Sequence, residues 1–281
     1  MLWLAATLFA AILATHQPQV VFAVVNGSDG MAIEPITMLT KKAGPCAGCW
    51  KLSFMDPVRE EDMSKEDFAA QYYRHGRKYR ALAGGADVGT ATVDKEVSLG
   101  CVSLAASLTP PLPESAGLAV GSLHLPPRKV VRSEASVEEE RALSALARRV
   151  FRQKGVPAAL LEKMEKSEVI SADLNQDGKR DIIGSFEAKG TEFSSTRRLF
   201  LIAVADDADG YRAEYVWYFR QNESENSTTT MVFFDTIDLD EDGTDEVIAS
   251  IRYYEDHDYV ILKRSHDGKW KIVYQGGDTG C

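Results

Sequence analysis

Histidine and cysteine are scarce, five and four among 281 residues. The histidines are scattered, so no His-Glu-x-x-His zinc helix is present, and Gly-x-Ser-x-Gly, the phosphate loop and the dinucleotide fingerprint are missing as well. These absences argue against the common metalloprotease, serine-hydrolase, nucleotide-hydrolase and Rossmann-type chemistries. An excess of positive charge is also lacking: net charge is −10, and residues 168–281 hold 24 Asp and Glu against 12 Lys and Arg. Phosphates would be repelled by that half of the chain, which excludes nucleic acid as its expected partner. Beyond the N-terminus there is no apolar run long enough to span a bilayer, so a transmembrane protein is not expected.

With 44% hydrophobic and 26% charged residues the composition is that of a globular chain. The first apolar run, Leu2 to Ala14, is too short to cross a membrane and is followed by Val21-Phe22-Ala23, a small-residue cleavage pattern. The reading is a secretory signal peptide over residues 1–23 and a secreted or periplasmic protein. The even cysteine count agrees with an oxidising compartment. Cys46, Cys49, Cys101 and Cys281 allow three pairings; the preferred one joins Cys46 or Cys49 to Cys101 and the other to Cys281. Disulfide exchange at the Cys46-x-x-Cys49 pair is the lesser alternative, because the flanks are β-patterned.

After an N-terminal segment at 24–45, residues 46–133 alternate apolar and polar between Gly and Asp turns and read as a small disulfide-bearing β-domain. One helix interrupts it at "SKEDFAAQYYRHG", with Ser64 and Asp67 suited to its cap. The stretches 109–115 and 125–129, rich in proline, are loops. Residues 134–167 read as a helical connector: Ser136 and Glu139 form a capping box, Leu143, Leu146, Val150 and Phe151 recur at helical spacing, and Pro157 opens a second helix, "PAALLEKMEKS".

From 168 to 281 the chain repeats itself. "SADLNQDGKRDIIGSF" at 171–186 returns 65 residues later as "TIDLDEDGTDEVIASI". Each copy continues as strand, Asp-Gly turn, strand, with Asp-Gly at 209–210 and 267–268. The expectation is two four-stranded antiparallel meanders, giving a mostly β fold with a helical connector (α+β) overall.

Numbered from its first Asp, loop one places Asp173, Asn175, Asp177, Lys179 and Asp181 at positions 1, 3, 5, 7 and 9. Loop two places Asp238, Asp240, Asp242, Thr244 and Glu246 there. Oxygen donors at 1, 3 and 5 converge on an ion, Gly178 and Gly243 at position 6 permit the turn, and at position 7 only the backbone carbonyl is needed. Hard oxygen ligands without His or Cys favour calcium, up to two ions. Position 12 is Gly184 or Ala249 instead of the Glu of an EF-hand, and the flanks are strands. Loop two offers four carboxylates against three, so it is expected to bind more tightly, both loops lying in the weak extracellular range of about 10⁻⁴–10⁻³ M.

This pattern, Asp-x-Asp/Asn-x-Asp-Gly-x-x-Asp/Glu within four strands, resembles the FG-GAP and VCBS repeats, whose best-known members form the propeller of integrin α-chains. The resemblance covers residues 168–277 and implies calcium at the two loops and β-propeller-like blades. Two blades do not close a ring, which usually takes four to eight.

The basic stretch Arg74, Arg77, Lys78 and Arg80 reads as a solvated surface, and Asn222 and Asn226 fit the glycosylation acceptor pattern. The functional expectation is a non-enzymatic, exported calcium-binding module that contacts a protein or glycan. The alternative is a secreted hydrolase, such as a glycan-acting one, whose carboxylates are dispersed in sequence and meet between the domains.

Overall fold

A computed structural model describes residues 18–27, 30–43, 50–57, 59, 63–99, 102–121, 132–190, 195–206, 210–221 and 229–277. The apolar run 2–14, the four cysteines, the loop 125–129, Asn222 and Asn226 lie outside these residues. The chain is mostly β, and among the described residues every strand pairing is antiparallel.

The N-terminal strands are β1 (Gln19–Gly27), β2 (Gly30–Ala43), β3 (Trp50–Met55), β4 (Lys78–Ala83), β5 (Ala86–Leu99), β6 (Val102–Leu108) and β7 (Leu118–Val120), with helix α1 (Lys65–Tyr72) after β3. Their order is β1-β7-β4-β5-β6-β2-β3, and β1 also pairs with β2, so six strands close into a barrel with β3 attached to the far end of β2. Phe22, Ile33, Tyr73, Tyr79 and Leu104 fill the interior together with Phe68 and Tyr72 of α1. Ser64 caps α1 by accepting the Asp67 N–H at 3.1 Å.

The barrel corrects the expected N-terminal boundaries. β1 runs across Ala23, and Val20, Val21, Phe22 and Ala23 are all buried. Val20, Phe22 and Val24 face the barrel interior while Val21 and Ala23 face the opposite side. A strand buried on both faces is written as an unbroken apolar run, which in sequence looks like the tail of a leader. A cut after Ala23 would remove half of a central strand, and the β-domain begins with Gln19 instead of Cys46.

The second half forms two sheets. The first has the order β12-β11-β10-β9-β8, from β8 (Arg132–Glu134), β9 (Met164–Ala172), β10 (Asp181–Ala188), β11 (Arg197–Asp206) and β12 (Gly210–Arg220). The second is β13-β14-β15-β16, from β13 (Thr230–Ile237), β14 (Glu246–Arg252), β15 (His257–Arg264) and β16 (Trp270–Gly276). Helix α2 (Val137–Gln153) starts with a complete capping box at Ser136 and Glu139, and α3 (Ala158–Leu161) is a single turn. The second helix is shorter than its sequence suggests because Met164 already pairs with Ala188, making "MEKS" the start of β9.

The layers stack as helix, sheet, sheet, barrel. Leu143, Ala147, Val150 and Phe151 of α2 pack on Ile182, Phe186, Leu199 and Leu201 of the five-stranded sheet, so the helix covers a sheet face. A Cβ on Gly184 would lie 2.8 Å from Leu143 Cδ2, which explains the glycine there. The opposite face presents Ile170, Ile183, Phe200 and Ile202 to Met231, Val247, Ala249, Val260 and Leu262 of the four-stranded sheet. That sheet's other face, with Ile237, Ile248, Tyr259 and Ile261, meets Val21, Ile36, Leu39, Leu82 and Leu118 of the barrel wall.

Asp235 on β13 pins the three sheets together. Its Oδ1 accepts the N–H of Gly84 in the β4–β5 turn at 2.8 Å and lies 3.0 Å from Arg132 Nη1 of β8. Arg132 in turn donates to Ser115 O at 2.8 Å. Burial raises the Asp235 carboxyl to about 6, against the pull of Arg132 and of the Thr236 and Gly84 N–H groups. The folded protein therefore takes up this proton at higher pH than the unfolded chain. The group's contribution to stability falls as pH rises from about 4 to about 6 and is flat above that. Asp235→Ala should lose about 1–3 kcal/mol at neutral pH, because the buried Gly84 N–H loses its acceptor while Arg132 keeps the Ser115 and Phe234 carbonyls. Urea unfolding of parent and variant across this pH range measures both the loss and a shallower slope, the remainder coming from Asp181, which burial raises to a similar value.

Candidate metal loops

Both acidic loops join the first strand of a meander to the second: loop one links β9 to β10, and loop two links β13 to β14. Their turns share four hydrogen bonds. The position-1 carboxylate accepts two backbone N–H groups, from Asp177 (3.1 Å) and Gly178 (3.0 Å) to Asp173, and from Asp242 and Gly243 (both 3.1 Å) to Asp238. The position-5 carboxylate accepts the position-7 N–H, Lys179 to Asp177 at 2.8 Å and Thr244 to Asp242 at 2.9 Å. The position-9 acid reaches back to position 2, with Leu174 N donating to Asp181 at 3.3 Å and Leu239 N to Glu246 at 2.7 Å. Gln176 and Glu241 at position 4 have φ of 57° and 63°, and Gly178 and Gly243 at position 6 have 82° and 87°. Glycine is the residue that enters this left-handed region without strain.

The loops touch each other. Gln176 Nε2 donates to Gly243 O at 2.8 Å, and Asp245 N donates to Leu174 O at 2.7 Å.

Their surroundings differ. Loop one is the more exposed, with Asp173 and Asn175 half-buried and Asp177 in solvent, while Asp181 is buried. Asn175 Nδ2 donates to Asp177 Oδ2 at 3.0 Å, and Asp181 Oδ1 accepts the Ala205 N–H of β11 at 3.1 Å. Burial raises the Asp181 carboxyl to about 6 against these two backbone donors, with Asp177 and Asp173 adding to the rise.

In loop two the carboxylate oxygens of Asp238, Asp240 and Glu246 lie within 4.8 Å of one another, and among the described residues this is the one such trio of His, Cys, Asp or Glu side chains. The cation between the loop's acids is Lys263 of β15. Its Nζ donates to Asp240 Oδ1 and Oδ2 (2.8 and 2.7 Å), Asp242 Oδ2 (2.8 Å) and Glu246 Oε1 (2.8 Å). Burial acts to lower the Lys263 ammonium, but Glu246, Asp240 and Asp242 outweigh it and hold it above the ordinary lysine range. Glu246, almost wholly buried, is pushed up by desolvation, with Lys263 opposing. Lys41 of β2 also reaches this loop, 2.7 Å from Glu241 Oε1. The neighbouring Arg264 forms a two-pronged pair with the buried Glu214 of β12, at 2.7 and 2.8 Å, which fixes the end of β15.

Lys263 lies outside both loops, so no ligand pattern within a loop points to it. The signal is in the strand register: Val247 pairs with Leu262, so Glu246 stands opposite Lys263. In the first copy Ile182 pairs with Ala203, which puts Asp181 opposite Val204.

A cavity of about 440 Å³ borders Lys263, walled by Trp50, Leu52 and Phe54 of β3 and by Arg264, His266 and Val273. Asp240 and Asp242 reach it, but both are engaged by Lys263. Among the described residues no helix is long and apolar enough to cross a membrane. Compared with protein-family models, curated proteins and solved structures, the chain matches none.

Asp181→Ala would strand two backbone donors, the buried Leu174 N–H at about 1–3 kcal/mol and the half-buried Ala205 N–H at less. Asp177 holds only exposed donors. In excess chelator Asp181→Ala should therefore lower the urea midpoint clearly more than Asp177→Ala.

Proposed function

We propose that this chain is an exported, non-enzymatic calcium-binding module, and that residues 168–277 are two repeat units of FG-GAP or VCBS type. The observation that carries the reading is the matched turn: the same four hydrogen bonds, the same two left-handed positions and the same place between first and second strand recur in both copies. An ordinary acidic turn has no reason to keep all of these twice.

Loop one fits a hard cation by its donor set. The side-chain oxygens of Asp173, Asn175, Asp177 and Asp181 and the Lys179 carbonyl would hold the ion, and the apolar Val204 stands where the second copy carries Lys263. The three carboxylates of loop one do not meet as closely as the Asp238, Asp240 and Glu246 trio of loop two, so an ion would have to draw them together. Calcium bound here rigidifies an exposed loop, and the rigid loop is the surface we assign to a protein or glycan partner. Export, to the periplasm or beyond the cell, accords with the even cysteine count and the apolar N-terminus; any cleavage then falls ahead of Gln19, so that β1 survives. The hydrolase reading gains no support from the cavity, since the two carboxylates that reach it are engaged by an ammonium.

Calcium at 100 times its dissociation constant should stabilise the parent by about 2.7 kcal/mol for each ion bound. Thermal unfolding in chelator and in millimolar calcium measures this as a raised midpoint, and Asp177→Ala should abolish the rise that loop one supplies. An unmoved midpoint in the parent would reduce loop one to an acidic turn.

A further inference from the structure

The two loops share one backbone but differ in what neutralises them. In loop two four carboxylate oxygens surround a single ammonium at 2.7–2.8 Å, the distances of charge-assisted hydrogen bonds. That ammonium comes from the strand directly beside Glu246, and the side chain is only about a quarter exposed. A calcium ion coordinated by Asp240, Asp242 and Glu246 would need the same oxygens. It could enter only by breaking all four bonds and leaving Lys263 without partners beside an acidic loop, where Lys41 already pairs with Glu241. Removing one member of a buried ion pair is the costly way to disrupt it. The donor set of loop two therefore suits calcium by composition and does not fit it in place.

We propose that Lys263 is the resident cation of loop two, so that this loop keeps an ion-loop shape without a metal and the chain takes one calcium, at loop one. The inference rests on the reading that these loops are built for a hard cation, and it reverses the ranking drawn from carboxylate count alone. Lys263 stands in for the ion in charge and in position, and it is covalently tethered, so its occupancy does not depend on the calcium concentration outside the cell.

Calorimetric titration with calcium chloride tests this on the full chain, as parent, Asp177→Ala, Asp242→Ala, Lys263→Met and Lys263→Met/Asp242→Ala. The parent should bind one ion, lost in Asp177→Ala and kept in Asp242→Ala. Lys263→Met should gain one further site, and adding Asp242→Ala should remove it. The gain in Lys263→Met is read independently of loop one: a parent with no site and a variant with one would refute calcium at loop one and uphold the role of Lys263. A parent site lost in Asp242→Ala, or a folded Lys263→Met without an added site, would overturn the inference. Should Lys263→Met fail to fold, acetic anhydride labelling of the parent decides. Lys263 should react more slowly than the exposed Lys269 and at the same rate with and without calcium. Calcium-induced labelling of Lys263 would overturn the inference.

Discussion

The four-stranded sheet is apolar on both faces, and the rest of the molecule is arranged to cover them. Ile237, Ile248 and Ile261 point one way and Val247, Ala249, Val260 and Leu262 the other, all with no measurable exposure. A sheet of this kind is stable only as an inner layer, because each buried aliphatic side chain contributes about 1.5–3 kcal/mol relative to exposure. The barrel wall supplies one cover and the five-stranded sheet the other, and the five-stranded sheet must then be covered in its turn, which is the place of α2. Apolar layers slide against one another without a directional contact to fix them. Asp235 supplies one such contact, reaching both the barrel turn and β8, and the Arg264–Glu214 pair and the Tyr274 hydroxyl on the Ile36 carbonyl supply others.

The acidic loops sit where this stack meets solvent, and the chain handles their repulsion in two ways. In loop two the neutralising charge is part of the polypeptide. In loop one Val204 occupies the corresponding position and Arg264 acts on Asp181 and Asp177 only through its field, so the centre of the loop is left to an ion from outside under the function proposed above. The hydrogen bonds that set the turn are the same in both, so loop shape and loop neutralisation are separate properties. The backbone is shaped by the Asp at position 1, the glycine at position 6 and the acid at position 9; what fills the centre depends on a neighbouring strand.

Much of this was legible in the sequence where the determinants are local. The caps at Ser64 and Ser136, the period of α2 and the acidic loops between strands can all be read within ten or so residues. The antiparallel order of β9 to β12 and of β13 to β16 follows from period-two patterning, but the first sheet has five strands instead of the expected four, because β8 adds to its edge. What the sequence hid depends on burial or register. β1 was unreadable as a strand because Val20 to Val25 carry no polar alternation when both faces are covered, and its apolar run imitates a leader. "MEKS" reads as helix by propensity and becomes strand because Met164 and Lys166 pair across to Ala188 and Phe186. Lys263 lies 17 residues past Glu246, and only the β14–β15 register makes them neighbours. The connector helix was visible, but its role as a sheet cover was not, since nothing local says which surface its apolar stripe will meet.

The contacts between the loops carry one more consequence. Gln176 holds the Gly243 carbonyl and Leu174 holds the Asp245 amide, so the first loop grips the backbone of the second at the two residues flanking Thr244. One member of this pair is permanently braced by its own lysine and so serves as an anvil for the other. Any stiffening of the first loop is borne against a fixed neighbour instead of being dissipated in a second mobile turn. A loop whose acids are gathered on Lys263 can thus act as the abutment of the other.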